Sequence, residues 1–131
     1  MVASGPCQEI VIKENIRLHG LEDKVRTVKA DIFPEEKNFD VIVLNPPYTN
    51  REARDVVEQS MWDKDHQSVR RFFREARGYL AAQGRIYCTW ANFADFSFIE
   101  DLVERNNFVC CSIAETMKDK KAYRVYEIKE R

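Results

Sequence analysis

"DVIVLNPPYT", residues 40–49, decides how this chain is read. Val41, Ile42, Val43 and Leu44 form an unbroken apolar run, the pattern of a strand covered on both faces, as in a parallel sheet. The group Asn45-Pro46-Pro47-Tyr48 cannot prolong that strand or start an ordinary helix, because proline fixes φ and lacks an N–H. In open parallel sheets, ligands bind beyond the carboxyl ends of the strands. The Asn45 side-chain oxygen and the neighbouring Pro46 carbonyl are two acceptors, the prolines hold them in one geometry, and Tyr48 offers a flat face for stacking. Together these describe a clamp for a planar amine. A rigid turn after a strand is the plain structural alternative.

The rest of the chain reads outward from that stretch. Val11, Ile12, Ile16 and Leu18 recur at helical spacing from Glu9 to His19, and Gly20 follows where a left-handed cap belongs. "VRTVKA" (25–30) and "FDVIVLN" (39–45) read as strands. Val69, Phe72, Phe73, Ala76 and Leu80 mark one face of a helix over residues 65–80, and Gly84 turns the chain into the strand "RIYCTW". Ser97 and Glu100 have capping-box spacing and open a helix to about Arg105. "FVCCSIA" and "AYRVYEI", joined by "ETMKDKK", form a terminal antiparallel hairpin. The alternation predicts an α/β sheet with helices on both faces and the strand ending at Asn45 in the centre.

At 131 residues the chain is the size of one domain. Lys plus Arg number 21 against 22 Asp plus Glu, so a nucleic-acid role needs a local basic patch. No apolar run approaches a membrane span and no signal peptide is recognised, so the chain reads as cytoplasmic with no membrane partner. Cysteines at 7, 88, 110 and 111 make no C-x-x-C pair, and with two histidines they suggest neither a metal site nor a disulfide framework; Cys88, Cys110 and Cys111, in strand-like stretches, read as small buried apolar groups. Asp63, Asp65 and His66 could pair for metal or acid–base chemistry, but capping of the next helix, with Trp62 packed under the loop, is the favoured reading. Arg70, Arg74 and Arg77, and Lys118, Lys120 and Lys121, could meet phosphates or simply be solvated. Trp90 and Asn92 could line the same sheet edge as Asn45, with core packing an equal account of Trp90.

"DVIVLNPPY" resembles the fourth motif of class I S-adenosylmethionine-dependent methyltransferases that act on planar nitrogen, the group that includes glutamine-N5 and adenine-N6 methyltransferases. "ENIRLHGLEDKVRTVKADIF" (14–33) is similar to the segment preceding that motif, and the likeness continues to about residue 129. The resemblance implies a Rossmann-like methyltransferase sheet, mostly parallel with a C-terminal antiparallel hairpin, and a single, partial methyltransferase domain over 1–131. It implies that Asn45, Pro46 and Tyr48 handle a protein or nucleic-acid substrate bearing a planar amine. It also implies that Asp31, Ile32 and Asn45 bind S-adenosylmethionine, with no metal.

The family's Gly-rich cofactor loop is not found, since the glycines stand only at 5, 20, 78 and 84. The chain therefore reads as N-terminally truncated, its leader "MVASGPCQ" as an alternative or artificial start and not a family strand, and its cofactor pocket as incomplete. A non-catalytic binding module derived from such a methyltransferase is the competing reading. Strands missing from the sheet would leave an exposed edge for a second copy or a partner chain.

Overall fold

A computed structural model describes residues 1–5 and 9–131, so Cys7 lies outside the described residues. The chain forms two compact units, Met1–Glu36 and Lys37–Arg131.

In the first unit, β1 (Val2–Gly5) runs parallel to β2 (Arg26–Lys29), in register from Val2 against Arg26 to Gly5 against Lys29. Between them lies α1 (Glu9–Leu18). Residues 2–5 of the leader, not read as a family strand from the sequence, thus form a strand. Four residues with Ser and Gly carry little strand propensity, and the partner strand supplies the order. Gly20 takes φ +62°, with Leu21 N–H bonded to Ile16 O at 2.9 Å and Gly20 N–H to Arg17 O at 3.2 Å, the Schellman cap that its position implies. Ile12 and Ile16 are half-buried, whereas Val11 and Leu18, expected on the apolar stripe, are exposed.

The second unit holds the sheet that begins with β3 (Phe39–Leu44). The following loop leads to α2 (Gln67–Ala76), β4 (Leu80–Ala91), α3 (Phe96–Arg105), β5 (Phe108–Lys118) and β6 (Lys121–Glu130). The order across the sheet is β3-β4-β6-β5; β3 and β4 are parallel, and β6 is antiparallel to both of its neighbours. Asp119 and Lys120 both have positive φ, so a two-residue turn of the hairpin type joins β5 to β6. "ETMK" belongs to the strand and not, as expected, to the connection.

The core lies on one face of this sheet. Ile86, Cys88 and Trp90 of β4 and Tyr126 and Ile128 of β6 are buried there with Val69, Phe72, Phe73 and Ala76 of α2 and Ile99, Leu102 and Val103 of α3. Phe73 meets Phe108 edge-on at 6.2 Å, and the Tyr126 hydroxyl donates to Glu100 at 2.8 Å. The expectation of helices on both faces fails within this unit, as does a central position for the strand ending at Asn45. β3 is an edge strand, with Val41 53% and Val43 74% exposed. An apolar run shows that both faces are apolar but not what covers them.

Three local boundaries also differ from the sequence reading. Leu80, which continues the helical spacing, opens β4. Between the Phe39–Leu80 and Val41–Arg85 pairs the longer strand bulges through Gln83 at φ +64°. There a Cβ on Gly84 would stand 2.9 Å from both Ala81 O and Phe39 O, so only glycine fits. α3 is capped by Asp95, whose carboxylate accepts from Ser97 N–H at 3.0 Å and from Ser97 Oγ at 2.8 Å; Ser97 is not the cap.

Candidate functional site

The parallel pairing of β3 with β4 ends at Leu44 opposite Cys88, so the next residues, Asn45 and Thr89, come level at the carboxyl edge. Their side chains meet: Thr89 Oγ1 lies 2.5 Å from Asn45 Oδ1. The Tyr48 hydroxyl closes a triangle, 2.7 Å from Asn45 Oδ1 and 2.7 Å from Thr89 Oγ1. Pro46 is buried between them in sequence, which anchors the turn while Asn45 stays exposed. Burial pushes the Tyr48 hydroxyl above its ordinary pKa, against the opposing effect of its bond to Thr89, so at neutral pH it keeps its proton.

The Tyr48 ring is held by three others. It stands edge-on to Trp90 at 5.7 Å and to Phe93 at 5.9 Å, and tilted to Tyr123 at 6.1 Å. Trp90 is fully buried, with its indole N–H directed at Ala94 O (3.1 Å) and Asp95 O (2.9 Å), so it is a core residue supporting Tyr48 from beneath. Asn92, just past the end of β4, is held by the β5–β6 turn. Its Oδ1 accepts from Ala122 N–H at 3.0 Å and its Nδ2 donates to Lys120 O at 3.4 Å, tying the β5–β6 turn to the end of β4.

The loop after Tyr48 folds back through a Thr49–Trp62 bridge and an Asp63 N–H to Thr49 O bond of 2.9 Å, with the Arg51 guanidinium 4.2 Å above the Trp62 ring. Asp63 is buried, and its carboxylate accepts from Ser68 N–H at 3.0 Å, Ser68 Oγ at 3.1 Å and Val69 N–H at 3.4 Å, so it caps α2. His66 is buried against Phe98 (4.7 Å) and Trp90 (5.3 Å), with no hydrogen bond at Nδ1. That burial depresses its pKa. Among the described residues, no group of three or more His, Cys, Asp or Glu is placed to hold a metal ion. Cys88 is buried, its thiol pushed up to about 12 by that burial; Cys110 is half-buried, while Cys111 is exposed, unlike the sequence reading.

Of the basic residues, Arg70 donates to Asp65 O at 3.0 Å and lies 4.7 Å over the Phe98 ring, Arg71 pairs with Glu75 at 2.8 Å and Arg77 with Glu130 at 3.4 Å. Asp31 and Ile32 stand just past β2 in the first unit, Asp31 exposed and Ile32 half-buried. Thr89, Phe93 and Tyr123 were not singled out from sequence. Only the coincident ends of two parallel strands would have pointed to Thr89.

A family model for the BMT5-like family, described as rRNA (uridine-N3-)-methyltransferase, matches residues 10–130. The chain belongs to that family. It is thereby a class I methyltransferase sequence. Residues of the chain are 44% identical over 55 positions to a release factor glutamine methyltransferase of Clostridium botulinum, covering 39% of this chain and 18% of that protein. A ribosomal protein uL3 glutamine methyltransferase of Francisella tularensis is 41% identical over 49 positions, covering 36% and 16%. The chain thus spans less than a fifth of these relatives.

Among solved structures, the ribosomal protein L11 methylase of Lactobacillus delbrueckii subsp. bulgaricus superposes with a TM-score of 0.67 at 15% identity, over 99% of this chain and 57% of that one. The Bacillus subtilis M1A22 tRNA methyltransferase TrmK gives 0.66 at 11%, over 99% and 49%. The BMT5-like chain therefore has the Rossmann-like methyltransferase fold.

Proposed function

We propose that residues 45–48 are the nitrogen-holding site of an S-adenosylmethionine-dependent N-methyltransferase acting on a planar nitrogen in protein or nucleic acid. The observation that carries this reading is the Asn45–Thr89–Tyr48 triangle at the carboxyl edge of a parallel strand pair. Two hydroxyl protons serve three short edges. If Tyr48 donates to Thr89 and Thr89 donates to Asn45, one lone pair of Asn45 Oδ1 stays open for a target N–H, with the Pro46 carbonyl as the second acceptor. Hydrogen bonds from the target nitrogen to these acceptors fix its position and draw on its lone pair, so orientation and preorganised dipoles supply the rate.

Two residues of the first unit suit the adenine end of the cofactor. The carboxylate of Asp31 suits an adenine amino group and the half-buried Ile32 suits the ring face. When bound, S-adenosylmethionine supplies an electrophilic methyl group. The named relatives act on glutamine, whose amide nitrogen carries two hydrogens beside one carbonyl, and, by family description, on uridine N3, an imide nitrogen with one hydrogen between two carbonyls; both nitrogens are planar.

The test is methyl transfer from S-adenosylmethionine by the protein carrying this chain to single-stranded RNA and to a glutamine-bearing peptide. Asn45→Ala should lower turnover by about 10²–10³, the usual loss for one preorganised group. Normal methylation by Asn45→Ala, or loss only through unfolding, overturns the reading.

A second reading, a non-catalytic partner module, is favoured by the open edge of β3 with Val41 and Val43 exposed. It predicts a self-associating or partner-bound protein without methyl transfer, and Val43→Lys should disperse it in equilibrium sedimentation.

A further inference from the structure

The turn after β4 carries an exposed aromatic residue whose ring touches the clamp only at Tyr48. Phe93 is 51% exposed, although Trp90 and Ala91 just before it are fully buried. Its ring meets Tyr48 at 5.9 Å and Tyr123 at 6.1 Å, both edge-on, so it is braced from two sides. A braced, exposed ring is a preformed platform.

The β5–β6 turn stands beside that platform. Asn92, the neighbour of Phe93, holds the turn through Ala122 N–H and Lys120 O. Lys121 Nζ lies 5.6 Å from the centre of the Phe93 ring. The turn reads Lys118-Asp119-Lys120-Lys121, three cations to one anion, and all three lysines are exposed. Among the described residues none of the three lysines forms an ion pair, whereas Arg124 on the adjacent strand is paired with Glu115. In a chain of net charge −1, this is the local basic patch that nucleic-acid binding requires.

We propose that Phe93 and Lys118, Lys120 and Lys121 form a subsite for the single-stranded RNA that flanks the methylated position. An unpaired base stacks on Phe93 while the lysines meet phosphates of the same strand. The proposal rests on the reading of residues 45–48 as the clamp, because the Tyr48 ring is common to both. An acidic peptide would satisfy the lysines but leave the flat face of Phe93 without a partner. A duplex would offer phosphates but no free base face. Single-stranded RNA has both, one nucleotide apart.

The experiment is fluorescence anisotropy with a labelled, unstructured uridine-rich oligoribonucleotide, across a salt series, alongside methyl-transfer assays on the same proteins. Phe93→Ala should weaken binding by roughly 5- to 100-fold, the loss of one stacked base. Phe93→Leu keeps apolar volume but not the flat face, so it should fold normally and still bind weakly. Lys120→Ala/Lys121→Ala should reduce the slope of log affinity against log salt by about 1.4, two single-strand phosphate contacts. Polyglutamate should not compete.

Wild-type affinity in a folded Phe93→Leu protein, or equal competition by polyglutamate, overturns the subsite. Asn45→Ala separates the two readings. It should keep the Phe93-dependent and salt-dependent part of RNA binding while failing to transfer methyl groups. Phe93-dependent RNA binding by a wild-type protein that transfers no methyl group would leave the subsite standing and remove the clamp. Methylation of a glutamine peptide unaffected by Phe93→Ala, with no RNA binding, would do the reverse.

Discussion

Thr89 Oγ1 lies 2.5 Å from Asn45 Oδ1, although the two residues are 44 apart in sequence. The contact exists because β3 and β4 are parallel and end together. A side-chain amide on a loop turns freely, and fixing it before the target arrives removes that cost from the reaction. Thr89 is a positioning residue. Thr89→Val, which keeps the shape and removes the hydroxyl, should lower kcat about five-fold for a bond worth about 1 kcal/mol, with KM little changed. Thr89→Ser should restore the rate. A Val variant that is equally active, or a Ser variant as slow as Val, would show that Asn45 needs no such partner.

Tyr48 separates the hydroxyl from the ring. Were only the ring face used, Tyr48→Phe would be silent. The hydroxyl, however, sits 2.7 Å from both Asn45 Oδ1 and Thr89 Oγ1, so its removal breaks the triangle. Tyr48→Phe should therefore slow turnover by a factor similar to Thr89→Val, and the double variant should be less than additive because both act on one network. Tyr48→Ala should also lower stability, by about 2 kcal/mol, since the half-buried ring braces Trp90, Phe93 and Tyr123. Denaturant unfolding of the three variants distinguishes these effects.

Asp63 holds the start of α2 from outside the helix. Its carboxylate receives Ser68 N–H, Val69 N–H and Ser68 Oγ. Asp63→Ala should cost about 1–2 kcal/mol through the uncapped helix end. Asp63→Asn keeps an acceptor and loses the charge, so it should cost less. If both variants unfold at the same denaturant concentration as wild type, the carboxylate does not stabilise this turn.

What the sequence disclosed depended on whether the signal was local. The Gly20 cap, the role of Asp63 and the place of Asn45 at a strand end each depend on neighbouring residues, and each appears in the structure. Local patterns also misled: Ser97 had capping-box spacing while the cap is Asp95, two residues earlier, and Leu80 fell on the helical period by coincidence. The edge position of β3, the Thr89 contact and the exposed Phe93 platform depend on which strands lie side by side. Hydrophobic periodicity carries no information on strand order.

His66 gives the fold a pH dependence whose sign follows from its surroundings. Burial against Phe98 and Trp90 is the main cause of its lowered pKa; Asp63 and Asp65 oppose the shift, and Arg70 adds to it. The unfolded chain therefore binds this proton more readily than the folded one. Stability should be independent of this group well above its ordinary value of 6.5, fall as the pH drops through that value, and level off once the pH passes below the folded value. Both His66 and Asp65 have positive φ, a conformation that asparagine tolerates among non-glycine residues. His66→Asn should thus accept the backbone, lower the thermal midpoint at neutral pH by lost ring packing, and flatten the dependence between neutral and mildly acidic pH. A variant whose midpoint falls with acid as steeply as the wild type would assign that pH dependence to the carboxylates instead.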